Sequence, residues 1–322
     1  MREIKFPLLL GIQASIKLLP LRAAKKCNTM GFKSGFVNII GKPNAGKSTL
    51  MNALVGERLS IITPKAQTTR HRIIGILNGP EFQIVFSDTP GIIKNPAYKL
   101  QESMNHFIEG TFQDADVFLY LAEIGQIPAV EDLPEQVINS NVPIIIALNK
   151  IDLSSQQIVE KRVGEWHAIL PTAEVYPISA LAKFNLDSIR LRILHHLKEG
   201  EPYYDKDALT DRSERFFVTE IIREKILMNY QKEIPYSVEV VVDEFKDEPT
   251  IVRIQAIIFV SRESQKGIII GHLGSSLKKT ASEARLAIEA FLGKKVFLAT
   301  QVKVSKDWRD SDRQLKRFGY IE

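Results

Sequence analysis

The sequence predicts two domains: an α/β domain with a mainly parallel sheet and helices on both faces, then a smaller α+β domain ordered α-β-β-α-α-β. Three observations predict this architecture. The chain has 322 residues, more than one hydrophobic core usually holds. Short apolar runs alternate with helical patterns as far as about residue 200. After the polar, turn-rich segment that starts at Gly200, the order of elements changes, which indicates a boundary.

The predicted α/β domain covers residues 35–200. Its apolar runs lack polar alternation, which is typical of strands covered on both faces. Two of these strands form a hairpin around Asn78-Gly79-Pro80. The predicted strands are 35–41, 72–77, 82–87, 117–121, 143–148 and 174–178, and the predicted helices are 47–56, 98–110, 154–170 and 186–198.

The predicted linker covers residues 201–213 and the second domain residues 214–305. This domain has helices at 214–230 and 275–291, strands at 237–245, 250–260 and 296–304, and a glycine-bearing segment before the second helix. The basic tail 306–322 contains Trp308. It is either an extension that contacts nucleic acid or a helix packed on the second domain, and the sequence leaves both open.

The first 34 residues are a separate extension. Its apolar stretch, residues 6–12, is far shorter than the roughly 20 residues that span a bilayer. It matches a secretory signal poorly, because Lys17 interrupts its continuation. A transit peptide is a second option. We favour a third, initiation at Met30, because a strand follows within a few residues.

Composition excludes some classes of protein and favours another. The single cysteine, Cys27, rules out a disulfide framework and a multi-cysteine zinc site. The net charge is +5, and residues 261–322 hold 13 basic and 7 acidic side chains. A basic C-terminal region of this kind indicates a face for nucleic acid.

A glycine-rich loop between the first strand and the first helix matches G-x-x-x-x-G-K-[ST]. Backbone N–H groups of such a loop surround phosphate, Lys47 reaches the β- and γ-phosphates, and Ser48 binds Mg²⁺. The predicted phosphate-binding residues are Gly41, Lys42, Pro43, Asn44, Ala45, Gly46, Lys47, Ser48 and Thr49.

Two further segments predict a γ-phosphate sensor. Asp88-Thr89-Pro90-Gly91 follows a strand, which places Asp88 to hold Mg²⁺ through water and the Gly91 N–H to meet the γ-phosphate. Thr68 and Thr69 lie where a mobile switch loop is expected. We prefer Thr69 as the threonine that binds Mg²⁺ only when γ-phosphate is present.

The segment Asn149-Lys150-Ile151-Asp152 predicts specificity for guanine. The Asp152 carboxylate can accept both donors on the guanine edge, whereas adenine would leave it unpaired. Asn149 and Lys150 brace the pocket. Backbone N–H groups at Ser179 and Ala180 are expected to donate to the guanine oxygen.

These motifs, in this order, resemble the Era family of GTPases, and Lys65-Ala-Gln-Thr-Thr-Arg-His-Arg72 is similar to that family's first switch. The resemblance runs from about Gly35 to Glu322. It implies that Lys47, Thr69 and Gly91 act in GTP hydrolysis.

Ile92 replaces the glutamine that many GTPases use to orient water, and Pro43 fills the position where an arginine finger needs glycine. Water is therefore expected to be positioned by backbone groups, and hydrolysis to be slow. Asn44 matches an asparagine that holds K⁺ in related GTPases, or else only braces the loop.

A second motif, Gly271-His272-Leu273-Gly274, leads into a helix with Lys278 and Lys279 and follows Lys266. A G-x-x-G loop between two helices can approach the backbone of about four nucleotides. In this element order it is similar to the KH domain of the Era family, which usually has lysine and glycine at the positions of His272 and Leu273.

The resemblance implies a protein that binds the 3′ end of 16S rRNA and the 30S ribosomal subunit with GTP bound, and leaves after hydrolysis to GDP. It also implies Mg²⁺ as cofactor, with K⁺ as an option. The expected protein is a cytoplasmic monomer, with peripheral attachment to the inner membrane left open by the apolar N-terminus and basic tail. A membrane-bound GTPase and a tRNA-modification GTPase are the alternatives. Relatives of the latter type carry a C-terminal cysteine, which this chain lacks.

Overall fold

The computed structural model describes residues 31–321. Predictions for residues 1–30, including a start at Met30, lie outside the described residues. The first strand begins at Lys33, so the end of the predicted extension belongs to the fold. The chain forms two compact units. Of the described residues, the first unit contains 31–60, 72–92 and 108–211, and the second contains 61–71, 93–107 and 212–321.

The first unit is built on a six-stranded sheet. Its strands are β1 Lys33–Gly41, β2 Ile73–Gly79, β3 Phe82–Asp88, β4 Val117–Glu123, β5 Ile144–Asn149 and β6 Glu174–Pro177. Their order in the sheet is β2-β3-β1-β4-β5-β6. The hairpin strand β2 is antiparallel to β3, and the other neighbours are parallel. The helices are α1 Lys47–Val55, α2 Lys99–Gln113 (whose first half lies in the second unit), α3 Glu135–Ile138, α4 Gln156–Ile169 and α5 Leu186–His196.

Parallel pairing brings three motif residues to one edge of this sheet. Gly41, Asp88 and Asn149 are the last residues of β1, β3 and β5. The carboxyl ends of parallel strands meet at the same edge, where open α/β sheets bind ligands. The central strands β1, β3, β4 and β5 are mostly buried, as the uninterrupted apolar runs predict.

The predicted linker differs from the structure, since most of it packs on the first unit. Ile76 N–H donates to Leu209 O at 2.8 Å, and Gln83 Nε2 donates to Tyr204 O at 2.8 Å. The rings of Phe36 and Tyr203 lie 4.7 Å apart. Residues 201–211 therefore cover part of the β2–β3–β1 sheet, and only the last residues of the predicted linker lie in the second unit.

The second unit contains the predicted α-β-β-α-α-β order. The elements are α6 Glu214–Asn229, α7 Ile234–Ser237, β7 Glu239–Asp247, β8 Ile251–Val260, α8 Glu263–Ile270, α9 Ser275–Leu292, β9 Lys295–Val304 and α10 Asp312–Arg317. Strand β7 pairs antiparallel with β8 around a bulge between Val242 and Glu244, and β8 pairs parallel with β9. The segment before the long helix α9, predicted only as glycine-bearing, forms the helix α8.

The C-terminal tail packs within the second unit, which favours the packed-helix alternative. The Trp308 side chain is fully buried, and its Nε1 donates to Ser237 O at 2.9 Å. Leu315 and Tyr320 join it in one apolar cluster with Leu100 and Met104 of α2. Within the second unit, the tail thus packs against the start of α2 and also bonds to the last residue of α7. We call residues 212–321 of this unit the C-terminal domain.

Within the described part of the chain, no helix combines the length and the apolar character needed to cross a membrane. In the same residues, no group of three or more histidine, cysteine or acidic side chains is placed to hold a metal ion.

Candidate nucleotide and nucleic acid sites

The phosphate-binding loop lies between β1 and α1, where the sequence predicts it. Lys47 Nζ donates to Gly41 O at 2.9 Å and to Lys42 O at 3.1 Å, so the ammonium group lies within its own loop. Burial lowers the pKa of Lys47 to about 8, while the nearby charge of Asp88 acts in the opposite direction. This buried cation is placed to meet phosphate oxygens.

Ser48 and Asp88 meet at the sheet edge although they lie on different elements. Ser48 Oγ donates to Asp88 Oδ2 at 2.7 Å, and the Asp88 side chain is buried. A hydroxyl and a carboxylate are oxygen ligands of the kind Mg²⁺ uses alongside water and substrate phosphates. The two residues therefore fit the predicted magnesium site.

Gly91 lies against the phosphate-binding loop so closely that a side chain would clash. A Cβ atom there would lie 2.8 Å from Pro43 Cγ and 3.1 Å from Pro43 Cα. Glycine permits this close backbone approach because it has no Cβ. The arrangement keeps the Gly91 backbone beside the loop, as its predicted contact with the γ-phosphate needs.

Asn149 braces the base-binding end of the site. Its Nδ2 donates to Ala45 O at 2.8 Å, and its Oδ1 accepts the Ala180 N–H at 2.9 Å. The Ser179 N–H donates to Phe184 O at 3.3 Å. Both backbone donors expected for the guanine oxygen thus have partners inside the protein, and donation to a base requires these bonds to be shared or exchanged.

Asp152 presents an acceptor that the protein itself leaves unused. Among residues 31–321, its Oδ1 is buried and has no hydrogen-bond partner. A buried carboxylate oxygen without a donor is costly, and the N1–H and N2–H₂ groups of guanine would relieve that cost. Lys150 Nζ forms an ion pair with Glu123 Oε2 at 3.0 Å, which fixes the Lys150 side chain of the same motif.

The predicted switch threonine, Thr69, is buried in the second unit. Its role in metal binding stays a prediction. The residues on either side of Thr69 have buried partners that the sequence does not reveal. Arg70 donates to Val238 O and Thr68 O accepts from Arg223, and each partner lies more than 150 positions away along the chain.

The sequence also does not reveal the role of Asn105 of α2, which holds the backbone just after Gly91. Asn105 Oδ1 accepts the Ile93 N–H at 3.1 Å, and Nδ2 donates to Ile93 O at 2.9 Å.

The G-x-x-G loop joins α8 to α9 in the second unit. Gly271 has φ 71° and ψ −178°, a conformation that only glycine adopts readily, and a Cβ there would lie 2.2 Å from Ser276 Oγ. Leu273 is also left-handed, with φ 49°, and 93% of its side chain is exposed. The loop therefore projects bare backbone and an apolar side chain into solvent.

Basic and apolar groups surround this loop. Lys278 and Lys279 are exposed on the first turns of α9, and Lys266 is partly exposed on α8. Ile268 of α8 is half exposed. A surface that binds single-stranded RNA combines basic side chains, which contact the phosphates, with an apolar area, which contacts the bases.

Comparisons with known proteins match both parts of the chain. A family model described as "50S ribosome-binding GTPase" matches residues 36–150, and one described as "KH domain" matches residues 233–309. "GTPase Era" of Syntrophus aciditrophicus is 45% identical over 300 residues, which cover 92% of this chain and 97% of that protein. "GTPase ERA1, chloroplastic" of Zea mays is 45% identical over 293 residues, covering 89% of this chain and 70% of that one.

Two solved structures are similar over nearly the whole described chain. Era in complex with MgGDPNP and nucleotides 1506-1542 of 16S ribosomal RNA superposes with a TM-score of 0.86 at 40% identity. A variant of Aquifex aeolicus Era bound to GDP and AlF₄⁻ gives 0.85 at 39% identity. Each alignment covers 90% of this chain and 100% of the other.

Proposed function

Because this chain belongs to the Era family of GTPases, we propose that it binds the 3′ end of 16S rRNA and acts in assembly of the 30S subunit. The observation that carries the proposal is the exposed Gly271–Gly274 loop, with its flanking lysines, on the chain that holds the nucleotide site. A relative of 40% identity was solved with a 16S rRNA fragment and MgGDPNP. Hydrolysis of GTP would end the RNA-bound state.

The chain is a GTPase with a KH domain, and its own residues suggest how GTP is held. Lys47 would exchange its loop carbonyls for the β- and γ-phosphates, Asp152 would accept the guanine donors, and Asn149 would keep the two ends of the site in register. A pocket that uses a carboxylate to read hydrogen-bond donors rejects bases that lack them.

For hydrolysis, Ser48, Asp88 and Thr69 would hold Mg²⁺, which neutralises the charge that develops on the phosphates. Ile92 has no group that could orient water. The Gly91 N–H, held close to Pro43, would fix the γ-phosphate, and backbone groups around it would position the attacking water. Asn44 has φ 63°, and it is the residue we assign to K⁺ if the protein uses that ion.

For RNA, the Gly271–Gly274 backbone would pack against the nucleotide backbone, with Lys266, Lys278 and Lys279 neutralising phosphates. His272 and Leu273 replace the lysine and glycine usual in the family. The loop itself therefore supplies less charge, and the flanking lysines carry more of the attraction for phosphate.

A single substitution tests the RNA half of the proposal. Gly271→Asp places a side chain against Ser276 and adds a charge that repels phosphate. We expect loss of most binding to a 3′-terminal 16S rRNA fragment, measured by filter binding, with intrinsic GTP hydrolysis unchanged. Unchanged RNA affinity in a correctly folded variant would refute the assigned loop.

Gly267→Asp is the matched control, because it adds the same charge one helical turn earlier. Nothing lies within 4 Å of a Cβ at Gly267, so this variant adds charge without steric conflict. Its RNA affinity should fall less than that of Gly271→Asp. Equal losses would mean that charge alone, and not close backbone approach, governs binding.

Coupling between the sites has its own test. If GTP tightens RNA binding, RNA must tighten GTP binding by the same factor. GTP affinity of the wild type should therefore rise with saturating RNA fragment, and that of Gly271→Asp should not. An unchanged affinity in the wild type would leave two independent domains and no switch.

The location, the oligomeric state and the 30S partner are also proposals. We place the protein in the cytoplasm as a monomer that meets the 30S subunit. The membrane alternative depended on the apolar N-terminus, which lies outside the described residues, and on the basic tail, which packs within the second unit. Crosslinking in cells followed by sequencing of the bound RNA separates 16S rRNA from tRNA, and fractionation tests membrane attachment.

A further inference from the structure

The switch segment 61–71 is held by the C-terminal domain through Arg70. Only 1% of the Arg70 side chain is exposed. Its Nη1 donates to Val238 O at 2.7 Å and to Glu239 Oε2 at 3.1 Å, and its Nη2 donates to Pro235 O at 3.2 Å. A buried guanidinium is tolerated only when paired and hydrogen-bonded. The backbone of Arg70 is therefore anchored to the start of β7.

A second arginine holds the other side of the same segment. Arg223 of α6 donates from Nη2 to Thr68 O. Glu220 fixes that guanidinium with two hydrogen bonds, Nε to Oε1 at 2.7 Å and Nη2 to Oε2 at 2.5 Å. Both side chains are buried. Arg223 is thus a rigid donor aimed at the Thr68 carbonyl.

Thr69 lies between these two anchored residues. We propose that Arg223 and Glu239, both in the C-terminal domain, are positioning residues for Thr69 in GTP hydrolysis. This inference rests on the proposed role of Thr69 as a ligand of Mg²⁺ in the GTP state. Neither residue needs to touch the nucleotide, because each acts through the backbone next to Thr69.

The physical reason is conformational entropy. A free loop would lose backbone freedom when its threonine binds the metal, and that loss opposes binding. A loop whose neighbouring residues were already held in the metal-binding conformation would lose less, and its hydroxyl would spend more time in the reactive position. On this proposal, the contacts of Arg70 and Arg223 would favour binding of GTP over GDP, because only GTP supplies the γ-phosphate to which Thr69 responds.

The test is a double variant, Glu220→Gln with Arg223→Met, which removes the donor to Thr68 without leaving an uncompensated buried charge. Single-turnover GTP hydrolysis and the affinities for MgGDPNP and MgGDP are measured without RNA, so that RNA binding does not enter. We expect hydrolysis to fall about tenfold and GDPNP binding to need more Mg²⁺, with GDP affinity unchanged. Arg253→Met, an exposed arginine of β8, is the matched control and should behave as wild type.

Tyr320→Phe gives an independent, milder variant. The Tyr320 hydroxyl donates to Glu239 Oε2 at 2.7 Å, on the oxygen that also accepts from Arg70. Its removal preserves shape and should reduce hydrolysis in the same direction by a smaller factor. This variant decides the question if the double variant does not fold.

Each contrary result has a distinct meaning. Wild-type hydrolysis and GDPNP affinity in a folded double variant, while Thr69→Ala hydrolyses slowly, would overturn the inference and leave the role of Thr69 intact. Equal losses of GDP and GDPNP affinity would reveal a merely structural contact and overturn it as well. Wild-type hydrolysis by Thr69→Ala would overturn the role of Thr69 and this inference together.

Discussion

Ser48 Oγ donates a hydrogen bond to Asp88 Oδ2 at 2.7 Å, and this bond joins the start of α1 to the end of β3. The two residues are 40 positions apart in the chain. Parallel pairing of β1 with β3, in which Ile39 lies opposite Asp88, brings them together. The two side chains predicted to hold Mg²⁺, Ser48 directly and Asp88 through water, are thus already adjacent, which lowers the ordering cost of binding the metal.

This arrangement predicts a clear contrast between two alanine variants. Ser48→Ala removes a metal ligand and should lower Mg²⁺-dependent turnover far more than Ile92→Ala. The Ile92 side chain cannot orient water, so its loss should leave turnover within a few-fold. Steady-state hydrolysis across a magnesium titration measures both turnover rates. Equal losses in the two variants would show that the segment Asp88–Gly91 is misassigned.

Base choice is tested at Asp152. Asp152→Asn replaces an acceptor by an amide, and hydrogen bonds to charged groups contribute about 1.5–3 kcal/mol, so GTP affinity should fall roughly ten- to a hundredfold. Asp187→Asn on α5, where 84% of the side chain is exposed, is the control and should bind normally. Calorimetry that finds ATP bound by wild type as tightly as GTP would refute the pocket.

Proton uptake should accompany nucleotide binding near pH 8. The pKa of buried Lys47 is lowered to about 8, and contact with phosphate raises it again. At pH 8 about half of the free protein therefore gains a proton on binding, and at pH 6.5 almost none does at this site. Calorimetry in buffers of different ionisation enthalpy measures the uptake. Lys47→Arg stays charged throughout, so an equal pH 8 uptake in that variant would place the proton elsewhere.

Stability of the second unit should fall in mild acid because of His71. Its ring stacks on Tyr320 at 4.4 Å, and burial lowers its pKa from 6.5 to about 4, with the charge of Glu220 acting the other way. The unfolded chain takes up a proton below pH 6.5 that the folded protein excludes. Stability is therefore lost as pH falls from about 6.5 to 4, by up to about 3 kcal/mol at 1.4 kcal/mol per pKa unit.

Urea unfolding at pH 7 and pH 4.5 measures this loss, followed by Trp308 fluorescence in a Trp166→Phe background. His71→Phe keeps a flat ring against Tyr320 and removes the titrating group. Its stability should depend less on pH over this window. An identical pH dependence in the two proteins would mean that other groups cause the acid sensitivity.

Local signals predicted most of the first unit. The glycine loop, Asp88 and Asn149 each end a strand, and β-strand pairing alone brings them together. The antiparallel β2–β3 hairpin followed from its turn residues. The packing of residues 201–211 did not, because a polar, turn-rich composition does not reveal that backbone carbonyls such as Leu209 O accept bonds from a strand edge.

The second unit shows what local signals miss. In the sequence, Arg70 is one residue of a switch motif, and nothing near it points to Val238 or Glu239. The fate of Trp308 was open for the same reason, since a tryptophan among basic residues suits either RNA or a core. Burial of both depends on partners brought together only by tertiary folding.

The contact between Arg70 and Glu239 also orders events in time. The two residues are separated by 169 positions, and a ribosome adding about 5–20 residues per second needs roughly 8–34 seconds to pass from one to the other. During that interval the strands around residue 70 can pair, while its guanidinium remains in water without its acceptors. A nascent chain can thus complete the sheet of the first unit first, and its switch segment is anchored only after the C-terminal domain has been synthesised.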